Sequence, residues 1–175
     1  VNLTADDTNG PFYDVFLRDR DPDGNGDFYE DNATTTLISR NSAGAVADRG
    51  GQFPRLSADG RYVVFESNAS NLSGGGTPPG AGSAVLQVWA RDLETGVTAL
   101  LSRSAAGTPG NDHSQFAVIG ADGRYVGFES RADNLDPGGV AAWDVFLLDR
   151  DTDEDGVFDE NGATNLARRS ISDTG

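Results

Sequence analysis

Apolar residues along this chain fall in short runs rich in β-branched and aromatic side chains, and no stretch keeps the 3.6-residue period of an amphipathic helix. The pattern predicts strands and almost no helix. The runs are of four kinds, A to D, met in a fixed order. A is Gln52–Ser57 and Gln115–Ile119; B is Arg61–Ser67 and Arg124–Ser130. C is Asp14–Asp19 (DVFLRD), Val85–Asp92 (VLQVWARD) and Asp144–Asp149 (DVFLLD). D is Thr34–Arg40 (TTTLISR), Val97–Arg103 (VTALLSR) and Thr164–Ser170 (TNLARRS). Asp59-Gly60 and Asp122-Gly123 stand between A and B, and Asp-Gly is a strong hairpin signal because glycine takes positive φ freely. Leu93–Gly96 predicts a tight turn from C to D.

The order reflects an internal repeat. Ser57–Ser67 reads SADGRYVVFES and Gly120–Ser130 reads GADGRYVGFES, nine of eleven positions identical at an offset of 63 residues. Gln-Phe precedes each copy, at Gln52-Phe53 and Gln115-Phe116. Asn-Leu follows at Asn71-Leu72 and Asn134-Leu135, and occurs again at Asn2-Leu3. Four antiparallel strands per repeat, joined as a meander, describe the blades of a β-propeller. The expected fold is therefore all-β, with about two and a half four-stranded antiparallel blades. Residues 1–45 would be a half blade (C-D), 46–108 a full blade and 109–175 another.

The motifs resemble the TolB-type (WD-like) propeller repeat. In that family a Ser-x-Asp-Gly-Arg/Lys hairpin leads into an apolar strand ending near Phe-x-Ser, followed by a strand opening Asp-apolar-apolar. Ser57–Arg61 with Phe65-Glu66-Ser67, Asp122–Arg124 with Phe128-Glu129-Ser130, and the openings Asp14-Val15-Phe16 and Asp144-Val145-Phe146 fit it. The resemblance implies fold and says little about activity, since such repeats serve binding, scaffolding and enzymes alike. These units are longer than a usual blade, which puts the extra residues in loops.

Composition narrows the chemistry. The 175 residues include no Cys, Met or Lys, so thiolate metal sites, disulfides and cysteine catalysis are excluded, and all 13 basic residues are Arg. The lack of oxidisable sulfur fits an extracellular setting. No apolar run approaches the ~20 residues of a membrane span, and no leader-like stretch opens the sequence, so a secreted protein would be met here in its mature form. The net charge is −15, which would repel nucleic acid and anionic membranes.

Most of that charge is concentrated. Asp19–Asp31 (DRDPDGNGDFYED) holds six acids and one Arg, and Asp149–Glu160 (DRDTDEDGVFDE) seven acids and one Arg, so the two windows carry −11 of the −15. Both lie between C and D, where the middle unit has a plain turn. Asp151, Asp153, Asp155, Gly156 and Asp159 form D-x-D-x-D-G-x-x-D, with Asp21, Asp23, Asn25 and Gly26 in the same register of the first window. Phe28 then stands opposite Phe158, and Glu30 opposite Glu160. Alternate carboxylates in a tight loop suit calcium, a hard ion that takes six to eight oxygens. The spacing is similar to the EF-hand loop, and closer to the calcium loops of integrin-type propellers. The expected ligands are Asp19, Asp21, Asp23, Asn25, Asp27 and Glu30 in the first loop. In the second they are Asp151, Asp153, Asp155, the carbonyl of Val157, Asp159 and Glu160. A second register of the first loop, Asp19-x-Asp21-x-Asp23-Gly24 with Glu30 twelfth, is open.

Catalytic constellations are not evident. His113 is the single histidine, in a loop expected to be solvated, and no Gly-x-Ser-x-Gly elbow occurs. Glu66 and Glu129 could pair as glycosidase carboxylates, but their equivalent repeat positions predict a structural role. Trp89 and Trp143 are expected in the core. Asn2, Asn32, Asn68 and Asn71 open Asn-x-Ser/Thr sequons. The functional expectation is a non-enzymatic, calcium-stabilised, extracellular structural or adhesive protein. With ten strands unable to close a ring, it would associate head-to-tail with itself as a ring or filament. The alternative is a peptide- or glycan-binding propeller segment of a larger secreted receptor or enzyme.

Overall fold

In the computed structural model, residues 3–73, 85–136, 138, 141–160 and 162–170 are described. They form ten strands: β1 (Phe16–Asp19), β2 (Thr34–Leu37), β3 (Gln52–Leu56), β4 (Tyr62–Ser67), β5 (Gln87–Asp92), β6 (Thr98–Leu100), β7 (Ser114–Ile119), β8 (Tyr125–Ser130), β9 (Asp144–Asp149) and β10 (Asn165–Arg168). All pairings are antiparallel, and among the described residues there is no helix. The sheets are β1-β2, β3-β4-β5-β6 and β7-β8-β9-β10, two meanders and a hairpin in the predicted order. Among the described residues the sheets do not close into a ring.

Side-chain alternation decides how the sheets stack. β4 is buried at every position because both of its faces are covered. Val64, Val88 and Ala90 on one face pack with Ala117, Val126, Phe128, Phe146 and Leu148 of the β7–β10 sheet. Val63, Phe65 and Trp89 on the other pack with Val15 and Ile38 from the β1-β2 hairpin. β8 alternates, since one face of its sheet meets β3–β6 and the other meets solvent.

The repeated polar residues hold equivalent joints. The hydroxyls of Ser39, Ser102 and Ser170 accept from the amides of Val15, Val88 and Val145 at 3.2, 3.0 and 2.9 Å, tying the end of each D run to the start of its C strand. In each Asn-Leu pair the asparagine amide bridges two connections. Asn71 donates to Val46 O at 2.7 Å and accepts from Asp48 N at 3.0 Å; Asn134 donates to Pro109 O at 2.9 Å and accepts from Asn111 N at 3.0 Å. The leucines, Leu72 and Leu135, are buried. The third pair differs: Leu3 is exposed, and Asn2 lies outside the described residues. In the Asp-Gly turns Asp59 and Asp122 accept from the amides of Arg61 and Arg124 at 3.0 and 3.1 Å, the Asx turn that makes aspartate favourable there. Gly123 has φ +82, and a Cβ would lie 2.2 Å from the Tyr62 ring, so glycine is required on two counts.

Two expectations about single residues are corrected. Trp89 is core, its indole N–H donating to Ser67 O at 3.3 Å, but Trp143 lies just before β9 and is 46% exposed, with Arg131 over its ring. His113 is half-buried rather than solvated, its Nδ1 accepting from Leu86 N at 3.2 Å.

Gln52-Phe53 and Gln115-Phe116 mark β-bulges, with positive φ of 51° at Phe53 and 56° at Phe116. Positive φ at a bulky residue costs on the order of 1–3 kcal/mol and persists only where its surroundings fix it. The surroundings of the second bulge are visible: Phe116 N donates to Glu66 Oε1 at 2.6 Å across the sheet-sheet interface. Glu66 is buried, and desolvation holds its carboxyl above the usual carboxylate range. A raised acid contributes stability that is complete below its unfolded pKa and lost as pH rises through its folded value. Glu66→Gln keeps the acceptor and removes the charge, so its stability relative to wild type should improve as pH rises from about 4 to neutrality. Denaturant melts at several pH values test this; a constant difference would sink it. Glu66→Ala orphans the Phe116 amide and should cost about 1–3 kcal/mol.

Candidate metal centre

The β9–β10 connection is built around Asp151, which is 5% exposed. Its Oδ1 accepts from Asp155 N at 3.2 Å and its Oδ2 from Gly156 N at 3.1 Å, so one carboxylate curls the loop about itself. Asp155 Oδ1 in turn accepts from Val157 N at 2.8 Å, and Gly156 turns at φ 85°. The result brings oxygens of Asp151, Asp153 and Asp155 within 4.8 Å of one another, the single such acidic group among the described residues. The crowding is electrostatically unfavourable as it stands. Desolvation, then the neighbouring charges of Asp155 and Asp151, push the Asp153 carboxyl above its ordinary value. Three convergent hard oxygen donors with mutual repulsion and no basic residue among them fit an oxygen-seeking divalent cation.

No family model matches the chain, and no curated protein matches it. What the loops can do therefore has to come from their own geometry.

The loop is clamped at its base. Asp149 accepts from Arg124 at 2.8 and 3.0 Å, and from Asp151 N at 3.1 Å. Arg150 is buried. It pairs with Asp159 at 2.5 Å, donates to Gly123 O at 2.8 Å, and lies 4.8 and 4.9 Å from the ring centroids of Tyr62 and Phe158. Tyr62 and Phe158 themselves stack at 5.2 Å. The acidic loop of one sheet is thereby fastened to the B strand of the preceding sheet.

The β1–β2 connection repeats the curl in an exposed setting. Asp21 Oδ1 and Oδ2 accept from the amides of Asn25 and Gly26, both at 2.9 Å, as Asp151 does from Asp155 and Gly156. Those amide bonds, that of Gly26 first, lower the Asp21 pKa. Asp19 accepts from Asp21 N at 3.0 Å, which makes it the counterpart of Asp149. Asn25 takes the place of the third acid. Its amide donates to Asp23 at 3.1 Å and to Glu30 at 3.0 Å, drawing both carboxylates to one point. Asp27 accepts from Tyr29 N at 3.0 Å, and Glu30 also accepts from Asn32 at 2.7 Å.

Of the expected ligands, Asp151, Asp153 and Asp155 converge, and Asp21, Asp23, Asn25 and Glu30 form one hydrogen-bonded group. The Asp159 carboxylate is taken by Arg150. Val157 and Glu160 are exposed on the same loop. The residues that sequence reasoning missed are the clamp, Arg150, Phe158 and Tyr62. A signal for it exists, since an Arg follows the first acid of both windows (Asp19-Arg20, Asp149-Arg150), but in the sequence alone it reads only as charge.

Proposed function

We propose that this chain is a calcium-stabilised, non-catalytic repeat module of propeller-blade type, an extracellular structural or adhesive element that docks head-to-tail with copies of itself. The convergence of Asp151, Asp153 and Asp155 supports it most directly. Calcium bound there and in the Asp21–Glu30 loop would neutralise the concentrated charge and stiffen the connection that fastens one sheet to the next. The TolB-like motifs support the blade assignment, and the absence of Cys and Met the extracellular one.

The self-docking part rests on unused counterparts of the internal clamp. Tyr125 stands where Tyr62 stands and is 43% exposed; Arg20 and Phe28 stand where Arg150 and Phe158 stand, and both are exposed. Arg20 already lies 5.4 Å from the Phe28 ring. A following copy would set this pair on Tyr125, beside the open Val118 and Val145 of the outer sheet face.

Calorimetric titration of chelator-stripped protein should show two calcium sites per chain. Asp151→Asn should remove one, because it strikes both the ligand and the hub of the curl. Sedimentation in calcium should show assemblies that Tyr125→Ala dissociates. No heat of binding would end the calcium proposal; a monomer at high micromolar concentration would end the assembly proposal separately.

A further inference from the structure

We infer that the free edge of β1, together with the exposed bulge of β3, is an acceptor site for a two-stranded β-hairpin of the A–B type found twice in this chain. The inference rests on the internal repeat, and neither calcium nor self-docking enters it.

The complete sheet supplies the template. In β5 the amides and carbonyls of Val88 and Ala90 face β6, as Leu101 N to Val88 O at 2.9 Å shows. Alternation then turns Trp89 and Arg91 toward β4, paired with Phe65 and Val63. Next along β4 is Glu66, whose carboxylate caps the Phe116 bulge of the following sheet.

β1 stands in the place of β5. The Ser39 contact to Val15 N matches the Ser102 contact to Val88 N, and Ile38 N donates to Val15 O at 2.8 Å, so Phe16 and Arg18 correspond to Trp89 and Arg91. Their backbone groups point away from β2, and among the described residues no strand pairs with that edge. Beside it lies β3, whose Phe53 bulge has the same positive φ as Phe116 but no carboxylate of this chain on its amide among the described contacts. The surface between them is apolar: Tyr13, Val15, Phe53 and Pro54 line one depression. Tyr13, Pro54 and Leu56 are exposed, whereas of the residues in their places between the complete sheets Ala117 is buried and Leu86 and Ile119 are half-buried; Phe53 is exposed, as Phe116 is.

A strand laid on β1 in the register that β4 takes on β5 would close all three deficits together. It would satisfy Phe16 and Arg18, set a glutamate opposite Val15 within reach of the Phe53 amide, and cover the apolar depression. This is strand addition with a sequence requirement, an aromatic-apolar run ending Phe-Glu-Ser behind an Asp-Gly turn. The same edge would otherwise be an aggregation hazard.

The test titrates the full chain with a synthetic copy of residues 48–67, which holds three Arg and three acids and so is not repelled by the −15 chain. Amide NMR reports the result. The Phe16, Arg18 and Phe53 amides should shift and gain exchange protection. Arg18→Pro removes an edge N–H that takes no part in the β1-β2 backbone ladder, although it also loses the exposed Arg18–Thr35 side-chain bond. It should weaken binding by about tenfold or more relative to an Arg18→Ala control that loses the same bond. Glu66→Ala in the peptide should weaken it comparably while leaving the receptor untouched. Three results would overturn the proposal: no shifts at any soluble concentration, shifts that persist in Arg18→Pro, or shifts confined to the Tyr125–Glu129 face. Self-association abolished by Arg18→Pro, without peptide binding, would assign the edge to a second copy and overturn the hairpin as well.

Discussion

Calcium added to the chelator-stripped protein should raise its melting temperature by roughly 5–10 °C for each loop filled. A ligand at a hundred times its Kd stabilises the native state by about 2.7 kcal/mol, and a kcal/mol moves the midpoint of a domain this size by about 2–4 °C. The sign of the ligand mutants sharpens the test. Asp153 is held above its ordinary pKa by desolvation and by Asp155 and Asp151, so ionised it opposes the metal-free fold. Its contribution is complete below the unfolded carboxylate range and is lost as pH rises through the raised value. Asp153→Asn should therefore leave the metal-free protein as stable or more so near neutrality, while removing the calcium increment of its loop. A purely structural acid would give the opposite order, with loss in the chelated state and an unchanged increment. Magnesium should do less, since it demands octahedral geometry and gives up water reluctantly. Equal melting curves with calcium and chelator at low ionic strength would refute the loops as metal sites.

The strands were legible because each is written in local terms: a period-two or continuous apolar run, bounded by Asp-Gly or by an acidic loop. The repeat helped further, since a run weak in one copy is strong in another. Strand ends were less legible. TTTLISR reads as seven strand residues, yet β2 ends at Leu37 and the last backbone bond is Ile38 N to Val15 O, because Ser39 turns its hydroxyl back onto Val15 N instead of continuing the ladder. Trp143 departs from expectation for a similar reason. It adjoins an apolar run, but β9 starts at Asp144 and the face beyond has no partner sheet among the described residues. Alternation says which residues share a face, while only tertiary stacking says whether that face is covered. The acidic loops were visible as composition, and their curl follows from the D-x-D-x-D-G spacing. The clamp was not, because nothing local to Arg150 indicates that Tyr62, 88 positions earlier, will lie against it.

Arg150→Met should be among the most destabilising single substitutions outside the apolar core, at about 3–5 kcal/mol, while Arg20→Met should be close to neutral. The two arginines occupy the same repeat position, after the first acid of each loop, and differ in what lies opposite. Arg150 is 2% exposed, and its loss would leave the Asp159 carboxylate half-buried and unpaired, the Gly123 carbonyl without its donor, and the Tyr62–Phe158 stack open on one side. Methionine keeps much of the volume, so the loss would measure charge and hydrogen bonding rather than a cavity. Arg20 is exposed and among the described residues reaches only Phe28 and Tyr29, and surface interactions of that kind are worth about a few tenths of a kcal/mol. Chemical denaturation of both variants in chelator gives the comparison directly, and in calcium it adds a second reading. Because the clamp anchors the loop that carries Asp151, Asp153 and Asp155, Arg150→Met should also weaken calcium binding at that loop and leave the Asp21–Glu30 loop unaffected. Near-equal costs for the two substitutions would mean that the contact between acidic loop and preceding sheet carries no stability, and head-to-tail docking through the equivalent contact would lose its physical basis.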